Sequence, residues 1–144
     1  MSRLVWNLCY AWLGVSLVDH LDPTSHFMQF KLLDAPTSIN LILGSIWVAL
    51  VSDIWRHRNN CIYKGGVLDH FEIFSSAQLK VWSWVSSKFP SVCFSFSDWC
   101  LEPLVCIIWL KACGCFRLVG LLSLCCWGVL DIERALTGRR SSYS

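Results

Sequence analysis

Ser45-Ile-Trp-Val-Ala-Leu-Val-Ser-Asp-Ile-Trp-Arg-His-Arg-Asn-Asn-Cys-Ile-Tyr-Lys-Gly-Gly66 starts as an apolar helix, turns basic just after its second tryptophan and stops at a glycine pair. Upstream, Thr37 or Ser38 is a natural N-cap, and Ile39, Ile42, Leu43, Ile46, Trp47, Leu50, Val51, Ile54 and Trp55 recur at helical spacing. Asn40, Gly44, Ser52 and Arg56 leave only a narrow polar stripe. A helix apolar nearly all round is buried, in a protein core or in a bilayer. Ile39–Ser52 offers 14 uncharged residues before Asp53, fewer than the roughly 20 needed to span. The segment therefore reads as a core helix.

Working outward, Ser2 caps a helix expected to run to about Val18, with Trp6, Cys9, Tyr10, Leu13 and Leu17 on one face. The same run has the outline of a signal peptide behind Arg3, but Asn7 interrupts it and Asp19-His20 follows in place of a small-residue cleavage site. Asp22-Pro23 breaks the helix, a short helix is expected over Ser25–Leu33, and Ala35-Pro36 closes it. Beyond Gly65-Gly66, Asp69 and Glu72 open another helix in the manner of a capping box. Its expected inner face is Phe71, Phe74, Ala77, Val81, Trp84 and Val85, and Pro90 ends it. Val92, Phe94 and Phe96 alternate with Cys93, Ser95 and Ser97, which predicts a short extended segment near 91–97. Trp99 to Cys106 reads as irregular. The expected class is all-α: a small set of apolar and amphipathic helices, not expected to form an independently compact domain.

Hydrophobic residues make up 55% of the 144 positions and charged residues 15%, well under the roughly 25% of an ordinary domain. So few charges cannot cover a surface, and the composition points to a partner, a bilayer or a larger parent. A net charge of +2 is too small to predict a polyanion partner by itself. Nine cysteines are an odd number at irregular spacing, which favours reduced, buried thiols in an intracellular chain over a disulfide framework.

Taken together, Val5-Trp6, Trp12-Leu13-Gly14, His26-Phe27, Gln29-Phe30, Ser45-Ile46-Trp47 and Ile54-Trp55-Arg56-His57-Arg58-Asn59 form an ordered series. Ile62-Tyr63-Lys64-Gly65-Gly66, Ala77-Gln78-Leu79-Lys80 with Trp82, and Ser97-Asp98-Trp99-Cys100 with Pro103-Leu104 continue it. In that order, residues 1–107 resemble the C-terminal end of plant LINE-type (non-LTR) retrotransposon reverse transcriptases, in and just beyond their zinc-binding region. The likeness implies two parts, residues 1–22, the helix ending the zinc-binding region, and residues 24–107, a helical tail; residues 108–144 show no such likeness and read as a divergent apolar segment with a disordered polar tail. The family's Cys/His zinc ligands and polymerase aspartates lie upstream of what this chain matches, and none maps onto it. The resemblance therefore implies a non-catalytic remnant, with no cofactor, no metal ligands and no catalytic residues.

Phosphoryl transfer by two metals needs clustered carboxylates, and the aspartates here are scattered singly at turns and caps. Zinc would have to draw on Cys106, Cys113, Cys115 and the pair Cys125-Cys126, whose spacing makes a poor knuckle. The sharpest basic cluster is Arg56, His57, Arg58 and Lys64. Arg56, Arg58 and Lys64 are candidate nucleic-acid contacts, weighed against the ordinary preference of cations for a helix C-terminus. Trp47, Trp55, Trp82, Trp84 and Trp99 could stack bases, but beside Ile and Leu at helical spacing they read as core. An alternative function is a small membrane protein anchored through Ile107–Leu130, whose only charges are Lys111 and Arg117, or through Ile39–Trp55 as well. Its uncharged part, Leu118–Leu130, is 13 residues long, too short to span by itself.

Overall fold

A computed structural model describes residues 2–18, 22–31, 35–89, 92 and 94–112. Within them the chain is all-α, with helices α1 (Ser2–Leu13), α2 (Pro23–Gln29), α3 (Thr37–Lys64), α4 (His70–Lys88), α5 (Phe96–Leu101) and α6 (Pro103–Ala112).

α1 buries Trp6, Cys9, Tyr10 and Leu13 of the expected face and Val5 besides, while Leu17 lies beyond its end. It ends earlier than the expected Val18. Gly14 turns to φ +65°, a left-handed conformation open to glycine, and the Val15 amide donates to the Tyr10 carbonyl at 3.0 Å. Asp22-Pro23, expected only to break a helix, starts one. The Asp22 carboxylate accepts from the Ser25 amide and hydroxyl, both at 2.8 Å, and Pro23 fills a first-turn position where no N–H is missed. α2 thus begins two residues before the expected Ser25, and its last residue is Gln29. The Gln29 amide then pins the chain after α1, donating to the Val18 carbonyl at 2.9 Å and accepting from its N–H at 3.0 Å.

α3 runs 28 residues and ends at Gly65, whose φ of +66° makes a left-handed C-cap. Its N-cap is Pro36, without a side-chain bond, rather than Thr37 or Ser38. The core side carries Ile42, Leu43, Ile46, Trp47 and Leu50, and then Asp53. Trp55, expected inside, is 53% exposed. Among the described residues α3 is the one helix long and apolar enough to cross a membrane. It lies antiparallel to α4 as a hairpin, the most extensive helix pairing in the fold.

α4 is capped by Asp69, whose carboxylate accepts from the Phe71 and Glu72 amides. Its inner ridge is Ile73, Ala77, Gln78, Val81 and Val85, rotated from the expected face; Phe71 is exposed. The extended segment expected near 91–97 is corrected, since Phe96 and Ser97 open α5 and no strand occurs among the described residues. A capping box does this. Ser95 Oγ accepts from the Asp98 amide while Asp98 Oδ2 accepts from the Ser95 amide at 2.7 Å. The irregular stretch expected from Trp99 to Cys106 is instead α5 and α6, broken at Glu102-Pro103. α6 crosses the 107/108 division drawn from the likeness, and residues 113–144 lie outside the described residues.

Buried residues of α1, α3, α4, α5 and α6, with Phe30 and Phe89, form one apolar cluster. Trp99, fully buried, ties three helices to it. Its indole N–H donates to the Gln78 carbonyl of α4, and its own carbonyl accepts from the Trp12 indole of α1, each at 3.2 Å.

Candidate functional site

The basic cluster sits on the last turns of α3. Arg58 and Lys64 are exposed, whereas Arg56 is already engaged, its Nη2 donating to Asp53 Oδ1 at 2.9 Å. At about 100° per residue, Arg58 points roughly 160° around the axis from Arg56, and Lys64 about 80°. The three cations therefore do not converge on one phosphate-sized spot. Lys64 does stand beside the outward carbonyls of the helix end, where a cation is favoured without any ligand.

Asp53 is the residue that sequence reasoning missed. Only 1% of it is exposed, and its Oδ1 accepts from both Arg56 and Lys80, the latter 27 positions away on α4. Oδ2 has no hydrogen-bond partner among the described residues. A buried carboxylate is tolerable only when paired, so this pair fixes the register of the α3–α4 hairpin. The available signal was weak: one acid inside an apolar helix with Arg three residues on.

A second buried polar centre lies where α1, α2 and α3 meet. The Trp47 indole N–H donates to His26 Nδ1 at 2.9 Å. An indole has no lone pair to offer, so Nδ1 is the acceptor and the neutral ring carries its proton on Nε2. Nε2 then donates to Tyr10 Oη at 2.6 Å. Trp6, Phe30 and Trp47 crowd the imidazole, with Trp6 edge-on at 4.4 Å between centroids. His26 is thus a buried brace.

The thiols are quiet. Burial pushes Cys9 up to about 12 and, with the charges of Asp98 and Glu102, Cys106 to about 11; it raises Cys100 as well. A nucleophilic cysteine needs the opposite shift. Of the zinc candidates only Cys106 is described; Cys113, Cys115, Cys125 and Cys126 lie outside the described residues. Among the described residues no three of His, Cys, Asp and Glu gather closely enough for a metal ion. Trp47 and Trp99 are core, Trp82 and Trp84 are partly buried against it, and Trp55 alone of the five stands out from the surface.

No family model, no curated protein and no solved structure matches the chain.

Proposed function

We propose that the chain is a non-catalytic helical packing unit, derived from the C-terminal end of a LINE-type reverse transcriptase. The observation that carries the reading is where the buried polar chemistry goes. His26 is held between Tyr10 and Trp47, and Asp53 between Arg56 and Lys80. Each group braces one helix against another, so neither is presented to a substrate. The ordered sequence likeness over residues 1–107 supports the origin, and in an intact parent such a unit would buttress the zinc-binding region beside it.

The test uses the full chain, purified and offered a primed RNA template, nucleotides and Mg²⁺ or Mn²⁺. A helical circular-dichroism signal that melts cooperatively, with incorporation at background, is the expected result. Template-dependent synthesis that disappears in an Asp53→Ala variant with an intact helical signal would overturn the proposal.

A further inference from the structure

His26 is engaged at both ring nitrogens by two other helices. Nδ1 accepts the Trp47 indole N–H of α3 at 2.9 Å, and Nε2 donates to Tyr10 Oη of α1 at 2.6 Å. An imidazolium carries an N–H at each nitrogen, so a proton arriving at Nδ1 would meet the indole N–H head on. The ring is also buried among Trp6, Phe30 and Trp47, where a cation loses its hydration. The charged and titratable groups on the elements around it are Arg3, Cys9 and Tyr10 on α1, Asp22 and Lys31 flanking α2, and Asp53 on α3. At 2.9 Å none of them can come between Nδ1 and the indole. The closed junction therefore admits only the neutral ring.

The helix that carries His26 is also the one most easily parted from the rest. Helix-on-helix packing joins α3 to α4 and α6, α1 to α4 and α6, and α5 to α4 and α6; α2 belongs to none of these pairings. Side chains fasten it instead. Phe30 lies in the core cluster, and the Phe27 ring stands T-shaped to Trp47 with centroids 5.0 Å apart, where a Cβ on Gly44 would touch it at 3.7 Å. A seven-residue helix held in this way can leave while the others stay paired, and it does not persist as a helix alone. We infer that His26 is an acid-released latch: taking up a proton at Nδ1 breaks its bond with Trp47 and frees α2 from α1 and α3. Release uncovers the aromatic faces of Trp6, Tyr10 and Trp47 that α2 closes over.

Hydrogen exchange of the full chain between about pH 8 and pH 5 tests this, with protection factors corrected for the intrinsic pH dependence of exchange. In the open state the ring takes its proton at the ordinary imidazole value of about 6.5, so the latch holds above that value and weakens as pH falls below it. Opening should then grow about tenfold per pH unit, lowering protection at the His26 and Phe30 amides, which α2 bonds to the Asp22 and Phe27 carbonyls, while Ile46–Leu50 of α3 stay protected. His20→Gln/His57→Gln/His70→Gln leaves His26 as the one histidine of four and should keep the whole effect. His26→Gln offers an amide oxygen to the indole and an amide N–H to Tyr10 without a titratable ring, and should abolish it. In the unaltered chain, nitrogen-resolved imidazole spectra should show His26 with a bare Nδ1 and a protonated Nε2 down to the pH at which α2 opens, a reading that stands even where the glutamine variant does not fold. Titration of His26 near its ordinary value with α2 still protected would overturn the inference, as would acid opening that persists in His26→Gln. Loss of protection in α2 and α3 together would overturn it too, since the proton would then unfold the core instead of releasing one helix.

Discussion

Single side chains carry the two internal braces, and each has a measurable cost of removal. Lys80→Met leaves the Asp53 carboxylate buried with Arg56 alone. Both cations are roughly half exposed, which screens them, so the loss is set at about 2 kcal/mol, below that of a wholly buried pair. Arg56→Ala should cost less, because Lys80 remains; urea unfolding of the two variants orders them. A reversed order would mean that Arg56, not Lys80, holds the hairpin. His26→Phe keeps the aromatic volume but strands the Trp47 indole N–H in the core, for a loss of about 1–3 kcal/mol by the same measurement. The thiol of Cys9 adds a pH dependence. Its folded pKa lies above the unfolded one, so it leaves stability untouched below the ordinary thiol value near 9. Above that the unfolded chain gives up a proton that the folded chain retains, and stability falls as pH rises toward about 12. Cys9 should accordingly resist alkylation until the protein unfolds, which mass-resolved thiol labelling in a urea series reads directly.

At the scale of elements, the ends are set by local chemistry and the faces by distant contacts. Gly65→Ala isolates one end. A Cβ there meets nothing within 4 Å, so the only penalty is the left-handed backbone, about 1 kcal/mol in a denaturant melt. Asp98 controls another. Hydrogen bonds from the Ser95 amide and hydroxyl hold its carboxyl below the usual value. Its contribution is present above the ordinary carboxylate range and is lost as pH falls through the folded value, so α5 should fray in acid. Amide protection factors at Ser95–Asp98, corrected for the intrinsic slowing of exchange in acid, that did not fall on acidification would contradict the capping box. Such ends were legible where one short motif decides them, as at Gly65 and Asp69. They were misread where alternation competed with a cap, as at Ser95. The inner face of α1 was legible because Trp6, Cys9, Tyr10 and Leu13 recur at helical spacing. α3 is apolar nearly all round, so periodicity could not say that Trp55 points out. The burial of Asp53 and His26 depends on Lys80, Tyr10 and Trp47, far away in sequence, and no local pattern encodes those distances.

For the molecule as a whole, the decisive element is α1, which touches both the His26 centre and the buried Trp99. Tyr10 reaches His26 between α1, α2 and α3, and two residues on, Trp12 donates to the Trp99 carbonyl and meets its ring edge-on at 5.2 Å. A helix that serves both sides makes them parts of one cooperative unit, because loosening Trp99 releases Trp12 and with it the seat of Tyr10. Trp99→Leu removes buried ring volume and the bond to the Gln78 carbonyl, a loss of about 2–4 kcal/mol. If the core is one unit, amide exchange should accelerate by the same factor in α3 around Ile46–Leu50 as in α4 and α5, although Trp99 does not belong to the His26 centre. Acceleration confined to α4, α5 and α6, with the protection of α2 and α3 intact, would divide the fold into two units. In that case α1 would be a tether between them, and its burial of Cys9 and Val5 would stabilise only the half that contains His26.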